Sequence, residues 1–170
     1  YYYHFLLRIM HLKSNVFKGY SLKPNIDCLN KIIEQDNIET LLDYGCGKAL
    51  EYQPNPFKNK HLEICLFDPY YLKYKKRPTK KYDLTICSDV MEHVENENLV
   101  NVIKNISNFT SKSVFFSIST IPAKKMLPDG SNAHVTLKKP DQWKEIIKSN
   151  MPPNIKIYIR FDKDKTVNIL

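Results

Sequence analysis

Two acidic residues and two glycines stand where apolar runs of this 170-residue chain end. Asp43 closes one such run and leads into the turn Gly45-Cys46-Gly47. Glycine costs little at positive φ and has no Cβ, so a turn of this kind lets backbone N–H groups approach a ligand closely. Asp68 closes the next apolar run, and an acid about 20 residues beyond such glycines can accept hydrogen bonds from both ribose hydroxyls. Together the two features predict a site for a nucleotide-type cofactor.

A second group of polar residues follows the apolar run Tyr82–Ser88. Asp89, Glu92 and His93 have the spacing i, i+3 and i+4, which would place them on one face of a helix at its first turn. With His134 they could hold Mg²⁺ or Mn²⁺, and such an ion binds neighbouring hydroxyls and lowers the pKa of one. Asp89 and Glu92 also fit a capping box, in which the two side chains satisfy backbone N–H groups of the first turn. Without a metal, His93 or His134 would act as a general base or shape the pocket.

In order and spacing, these segments resemble the class I S-adenosylmethionine-dependent methyltransferases. Residues 42–47 resemble the first motif of that family, Phe67-Asp68 its ribose acid, and residues 82–93 its fourth-strand motif. The resemblance covers nearly the whole chain, residues 15–170, and implies S-adenosylmethionine as the cofactor. The residues that it places beside the cofactor are Asp43, Gly45, Cys46, Gly47, Asp68, Pro69, Tyr70, Ser88 and Asp89.

The polar residues after the third segment resemble a narrower group of enzymes. The pattern resembles the divalent-metal site of the small-RNA 3′-terminal 2′-O-methyltransferases, since an acid is followed by Glu92, His93 and a later histidine. The first half of the pattern also resembles a family of ubiquinone-pathway O-methyltransferases. The implied metal ligands are Asp89, Glu92, His93 and His134, and the implied catalytic residues are Asp89, His93 and His134. The RNA enzymes have glutamate where this chain has the shorter Asp89.

Short apolar runs alternate with amphipathic segments and predict an α/β fold with a mostly parallel sheet. The predicted strands are 39–43, 62–68, 82–88 and 113–119, followed by an antiparallel C-terminal hairpin of 155–161 and 166–170. The predicted helices are one capped by Asn25, one over 90–108 and one that begins at Pro140. The resemblance implies that this is the Rossmann-like methyltransferase fold, in which ligands bind at the carboxyl ends of the strands.

Two connections depart from the family pattern. Pro54 and Pro56 fall where the helix after the glycine turn is expected, and proline breaks helix interiors. Asp68 and Asp83 lie too close in sequence for a full helix, strand and loop between them. We therefore predict a reduced third-strand region without an assignable adenine-binding residue, although Tyr70 would stand next to the ribose acid, either flanking the adenine or packing.

Composition and length place further bounds on the chain. Its 170 residues suit one methyltransferase domain over 1–170, with residues 1–20 as a helix or a lid over the cofactor. No apolar run approaches the roughly 20 residues that span a bilayer. The four cysteines form no C-x-x-C pair and predict free thiols in a reducing compartment, the cytoplasm.

The predicted activity is O-methylation of a small hydroxylated metabolite or sugar-type acceptor, which Asn132 and His134 would contact from the polar loop 120–139. One alternative is metal-assisted RNA 2′-O-methylation, because the net charge is +8 and a basic cluster occupies Lys73–Lys81. Against nucleic acid, only three of the 26 basic residues are arginine, the residue that phosphate recognition favours, and a solvated loop explains the cluster. Another alternative is a non-catalytic cofactor-binding subunit that docks on a partner through Tyr1–Phe5.

Overall fold

The computed structural model describes residues 20–162 and 166–170. The strands in these ranges are β1 Thr40–Tyr44, β2 Glu63–Phe67, β3 Tyr82–Ser88, β4 Thr110–Ile118, β5 Lys156–Phe161 and β6 Asn168–Ile169. The α-helices are α1 Ile26–Gln35, α2 Leu99–Asn108 and α3 Pro140–Asn150. Short 3₁₀ helices occupy Lys23–Asn25, Leu50–Tyr52, Leu72–Tyr74, Met91–His93 and Asn96–Asn98. The predicted α/β class is confirmed.

The six strands form one sheet in the order β2-β1-β3-β4-β5-β6. Strands β1 to β5 run parallel and β6 pairs antiparallel with β5, so the predicted mostly parallel sheet and its antiparallel C-terminal hairpin are confirmed. Strand β1 lies between β2 and β3, so the chain places β2 on one side of β1 and β3 on the other. The position between β1 and β3 is therefore a topological switch point, where the direction of strand order reverses. The carboxyl ends of the strands at such a switch point form the crevice where open α/β sheets bind ligands.

Alternating side chains of the central strands bury both faces of the sheet. Leu41 and Phe115 pack in the core that includes α1, whereas Leu42 and Phe116 pack on the opposite face with α2 and α3. Trp143 of α3 is fully buried in that second core. Because helices cover both faces of the sheet, its accessible side is the one formed by the carboxyl ends of the parallel strands. The loops that follow these strands lie there.

Both predicted departures in the connections are present in the described residues. The chain between β1 and β2 contains only the 3₁₀ helix Leu50–Tyr52 before Pro54 and Pro56, and no α-helix. The chain between β2 and β3 contains only the 3₁₀ helix Leu72–Tyr74, with neither an α-helix nor a further strand. The loops around the carboxyl ends of β1 and β2 are therefore short and lie close to the sheet.

The predicted helix over residues 90–108 is wrong in its first half, because α2 begins only at Leu99. In an α-helix, a backbone carbonyl accepts a hydrogen bond from the N–H group four residues further on. Here the carbonyl of Glu92 accepts from the backbone N–H of Thr136, and the carbonyl of Val94 accepts from the Thr136 hydroxyl. Val94 is extended, which separates the two 3₁₀ helices. The polar residues that precede α2 are therefore not presented on an α-helical turn.

The predicted capping role of Asn25 is also wrong, although α1 begins directly after it. The Asn25 amide donates to the backbone carbonyl of Ser21, and its Oδ1 accepts from the Arg160 guanidinium on β5. A preceding 3₁₀ turn already holds Asn25 in a helical conformation, so its side chain is not placed to cap. Asn25 instead ties the start of α1 to the sheet.

The four cysteines are free thiols, as predicted, with Cys46 and Cys87 buried. None of the helices within 20–162 and 166–170 is long and apolar enough to cross a membrane. The predicted helix or lid over residues 1–20 lies outside the described residues except for Tyr20, and so does the segment Tyr1–Phe5.

Candidate functional site

A cavity of about 630 Å³ opens at the carboxyl ends of β1 and β3, beside the switch point. This volume lies within the range of ordinary small-molecule sites. The predicted site residues that line it are Gly45, Cys46, Gly47, Ser88, Asp89, His93 and His134. Among the other predicted residues, Asp43 and Asp68 are buried next to it, Pro69 is exposed and Tyr70 is half-buried, and none of these four belongs to its lining.

Gly45 is required by the close approach of Val90, the second residue after β3. Its φ of +89° lies in the region that side chains disfavour, and a Cβ at this position would meet Val90 Cγ2 at 2.5 Å. The glycine therefore allows the turn after β1 and the segment after β3 to meet at the cavity wall.

The N–H groups of the glycine turn are bonded to the end of β2. Gly45 N and Cys46 N donate to the Phe67 carbonyl at 2.7 and 3.2 Å, and Gly47 N donates to Asp68 Oδ2 at 2.9 Å. These three N–H groups therefore already have partners within the protein, although the three residues line the cavity. A buried N–H group needs a partner, and the neighbouring strand supplies it.

Asp68 is a hydrogen-bonding centre between two loops. Besides the bond from Gly47 to Oδ2, its Oδ1 accepts from the backbone N–H groups of Tyr70 and Tyr71 at 2.8 and 3.0 Å. The carboxyl is buried at the carboxyl end of β2. These bonds fix the position of the predicted ribose acid relative to the glycine turn.

Asp43 is buried at the carboxyl end of β1, and its Oδ2 accepts a hydrogen bond of 2.7 Å from the Tyr52 hydroxyl. Burial raises the pKa of Asp43 to about 7, and the charges of Asp68 and Glu51 add to the rise, while the Tyr52 bond opposes it. Sequence reasoning missed Tyr52, because a tyrosine in a proline-rich connection carries no signal of a buried partner.

Asp89, His93 and His134 come together at the cavity wall. Each offers one potential ligand atom, and these atoms lie within 4.8 Å of one another. The two imidazole rings meet edge to face, with their centroids 4.9 Å apart. Asp89 has a positive φ of 59°, and its N–H donates to the Ser117 carbonyl of β4. A left-handed backbone at Asp89 and a 3₁₀ turn that ends at His93, rather than an α-helix, thus bring two of the predicted metal ligands to a third, His134 of the polar loop.

Both imidazoles are held through the same ring nitrogen. His93 Nδ1 lies 2.7 Å from the Ala133 carbonyl, and His134 Nδ1 lies 2.6 Å from the Ile121 carbonyl. A carbonyl only accepts, so each Nδ1 carries the proton and each Nε2 carries a lone pair in the neutral ring. Burial lowers the pKa of His93, despite the nearby Asp89 carboxylate, and keeps this ring neutral.

Glu92 is fully buried and is not a member of the group formed by Asp89 and the two histidines. Its Oε1 accepts a hydrogen bond of 2.9 Å from the backbone N–H of Ser119, directly after β4. Burial, and then the neighbouring Asp89 charge, raise the pKa of Glu92 well above its usual range. The capping box is excluded by this arrangement, because the Glu92 side chain bonds to another strand end.

Asn132, predicted to contact the acceptor, holds the polar loop together instead. Its amide group donates to the Ala123 carbonyl and accepts from the Ala123 N–H, both at 2.9 Å. Its Oδ1 also accepts from the backbone N–H of His134 at 2.9 Å. Asn132 does not line the cavity, but its three bonds position two residues that do.

Two features of the cavity wall bear on ligand binding. The Ser88 hydroxyl at the end of β3 is buried, and no hydrogen-bond partner for it is present in the described residues. Lys124 and Lys125, which sequence reasoning passed over, both line the cavity from the polar loop. The sequence did contain a signal for these lysines, because they are adjacent in the loop that was predicted to contact the acceptor.

The chain was also compared with known proteins. No protein-family description matches it, and no curated protein matches it significantly. The fold and the geometry of the cavity are therefore the basis for an assignment of function.

Proposed function

We propose that this chain is a class I S-adenosylmethionine-dependent methyltransferase that methylates a hydroxyl oxygen of a small hydroxylated acceptor. The observation that carries the proposal is the cavity at the switch point of the mostly parallel six-stranded sheet. There the ends of β1, β3 and β4 bring together, around one space, a glycine turn, a buried hydroxyl that has no partner among the described residues, and an acid with two histidines.

The acidic residues at the strand ends suit a cationic cofactor. In this proposal Asp89 faces the sulfonium group from the cavity wall. Asp43 holds the amino group directly or through water, and Asp68 receives the ribose hydroxyls, both from behind the wall. Ser88 is the wall residue whose hydroxyl gains a partner on binding, because an unpaired buried hydroxyl is unfavourable. Pro69 and Tyr70 would lie beside the adenine, next to the ribose acid.

S-adenosylmethionine supplies an electrophilic methyl group when bound, so the protein must align the acceptor oxygen and remove its proton. His93 and His134 are suited to the second task, because hydrogen bonds through Nδ1 leave the lone pair on Nε2. The neutral state of His93 at physiological pH also suits a base. Asn132 fixes the backbone of His134 and so positions this base.

The same residues fit a divalent cation, Mg²⁺ or Mn²⁺, as an alternative to the base. An imidazole whose Nε2 binds an ion no longer accepts a proton there, and the ion would then itself lower the pKa of the acceptor hydroxyl. The carboxylate suits either ion, and the two imidazoles favour Mn²⁺ over Mg²⁺, because Mg²⁺ prefers oxygen ligands. Both imidazoles donate Nδ1–H to a backbone carbonyl, as metal-binding histidines commonly do. Asp89, His93 and His134 would hold the ion. Because this trio also suits vicinal hydroxyls at an RNA 3′ end, RNA 2′-O-methylation is the second candidate function.

The test is calorimetric titration of S-adenosylhomocysteine into the native protein, followed by ¹⁵N–¹H spectra of the complex. We expect saturable binding with shifts at Gly45, Gly47 and Ser88. Asp68→Asn should weaken binding roughly tenfold, since a charged hydrogen-bond acceptor becomes neutral. The matched control is Asp83→Asn, because Asp83 also accepts two backbone N–H groups but lies at the other end of the sheet. Absence of binding to the folded native protein would overturn the proposal.

A further inference from the structure

The walls of the cavity carry opposite charges. The strand ends contribute Asp89, with Asp43 and Asp68 buried behind them. The polar loop 120–139 contributes Lys124 and Lys125, which are consecutive in sequence and both line the cavity. The acidic wall suits the sulfonium and amino groups of the proposed cofactor, whereas the basic wall suits an anionic group.

Among the described residues, no carboxylate forms an ion pair with Lys124 or Lys125. Lys80 and Lys156, by contrast, form ion pairs with carboxylates at 2.7 and 2.9 Å. Lys125 lines the same cavity as His93, the proposed base. An anion at these lysines would therefore lie close to the reacting groups.

The backbone that carries the two lysines is held on both sides. Asn132 makes two hydrogen bonds to Ala123, the residue before Lys124, and the carbonyl of Lys125 accepts from Ala133 N at 3.2 Å. A β-bridge joins the next residue, Met126, to Asn132. A loop that is ordered before binding loses less entropy when it captures a ligand.

We propose that Lys124 and Lys125 form an anion subsite that holds a phosphomonoester group of the acceptor. A phosphomonoester carries about −1.5 to −2 charges at pH 7, which matches two ammonium groups better than the single charge of a carboxylate does. Lysine binds phosphate as a point charge and needs no fixed bidentate geometry, so two adjacent lysines are sufficient for such a subsite. This inference rests on the proposed function and narrows the acceptor class to small phosphorylated hydroxy compounds.

The experiment is titration of inorganic phosphate into the ¹⁵N-labelled protein saturated with S-adenosylhomocysteine, at an ionic strength kept constant with chloride. We expect saturable shifts at the amides of residues 123–125. The double variant Lys124→Gln/Lys125→Gln should raise the apparent Kd roughly tenfold, because two charge-assisted contacts are lost. The matched control Lys75→Gln/Lys76→Gln removes the same charge from the exposed basic cluster and should leave the Kd unchanged.

Shifts that do not saturate, or equal losses in both double variants, would overturn the subsite, because they indicate diffuse attraction. A single-stranded oligoribonucleotide is titrated in parallel. If it binds more tightly than phosphate and loses affinity in the Lys75 and Lys76 variant, the acceptor is RNA and the inference is wrong. Binding of S-adenosylhomocysteine without a phosphate site would overturn only the subsite, whereas failure to bind S-adenosylhomocysteine would overturn the proposed function itself.

Discussion

The Tyr52 hydroxyl donates a hydrogen bond of 2.7 Å to Asp43 Oδ2, and the two residues stand on either side of the glycine turn in the sequence. The phenol comes from the 3₁₀ helix after the turn, and the carboxyl comes from the strand before it. Because burial raises the pKa of Asp43 to about 7, this carboxyl changes its charge close to physiological pH. The hydrogen bond therefore links the position of the segment after the glycine turn to the protonation state of the Asp43 carboxyl.

The first prediction concerns Asp43 and the pH dependence of stability. Between about pH 4 and 7 the native carboxyl holds a proton that the unfolded chain, with its ordinary pKa of 3.8, has released. The contribution of this group to the free energy of unfolding therefore falls as pH rises, by up to about 1.4 kcal/mol per pH unit. Asp43→Asn should remove this slope and be relatively more stable above pH 7.

Urea unfolding at several pH values between 4 and 8 measures this effect. Asp141→Asn is the control, since the Asp141 side chain on α3 is 95% exposed. Parallel pH profiles for the native protein and Asp43→Asn would show that the buried carboxyl is already ionised in the native state.

The second prediction concerns Gly45. Gly45→Ala should lower the free energy of unfolding by roughly 2 to 5 kcal/mol, because it combines an unfavourable φ with a 2.5 Å clash against Val90. Gly130→Ala is a matched control, since its φ of +83° is similar but nothing lies within 4 Å of the new Cβ. It should cost only about 1 kcal/mol.

A double-mutant cycle separates the two causes. In a Val90→Ala background, Gly45→Ala should cost less than in the native background, because the closest contact is gone. Additive effects of the two substitutions, measured by denaturant unfolding, would mean that the backbone conformation alone requires glycine at position 45.

The sequence was sufficient for the strands and for the glycine turn, because apolar runs and turn residues act locally. The bounds of β3 match the prediction. The lack of an α-helix after β1 follows from Pro54 and Pro56, and the short connection after β2 follows from the close spacing of Asp68 and Asp83. The conformation after β3 could not be predicted in this way. Its carbonyls bond to Thr136, 42 residues away from Val94, and no periodicity in the sequence encodes that competition with helix formation.

The same reasoning applies to the site. The pattern of an acid, Glu92 and His93 correctly indicated that chemistry-bearing residues gather after β3, yet Glu92 is buried against Ser119 and apart from the cavity. Asn132 was interpreted as a ligand contact because polar residues in such loops often face substrates. Its amide satisfies backbone groups instead, a role that depends on how the loop folds on itself.

The third prediction concerns Ser88. Since its buried hydroxyl has no partner in the described residues, Ser88→Ala should leave the free energy of unfolding unchanged or raise it by up to about 1 kcal/mol. The same substitution should weaken S-adenosylhomocysteine binding roughly threefold to tenfold, by loss of one hydrogen bond. Ser107→Ala on α2 removes a hydroxyl bonded to the Lys104 carbonyl and should show the reverse, lower stability with unchanged affinity. Unchanged affinity in Ser88→Ala would exclude this hydroxyl from the binding site.

The fourth prediction tests the metal ligands by titration of Mn²⁺, followed by electron paramagnetic resonance. Replacing Asp89 by Asn, or His93 or His134 by Gln, should each weaken Mn²⁺ binding at least roughly tenfold, because one of three protein ligands is lost. Glu92→Gln should bind nearly as the native protein does. A neutral amide imitates the protonated carboxyl that burial favours and still accepts the Ser119 N–H.

His61→Gln serves as the control for loss of a histidine, since His61 is exposed and lies outside the cavity lining. If Glu92→Gln loses Mn²⁺ as strongly as Asp89→Asn does, Glu92 is a ligand after all, and binding must then draw its carboxylate out of the core. If all variants bind Mn²⁺ equally weakly, the two histidines act without a metal. In that case S-adenosylmethionine turnover should survive chelation, because proton removal by an imidazole needs no ion.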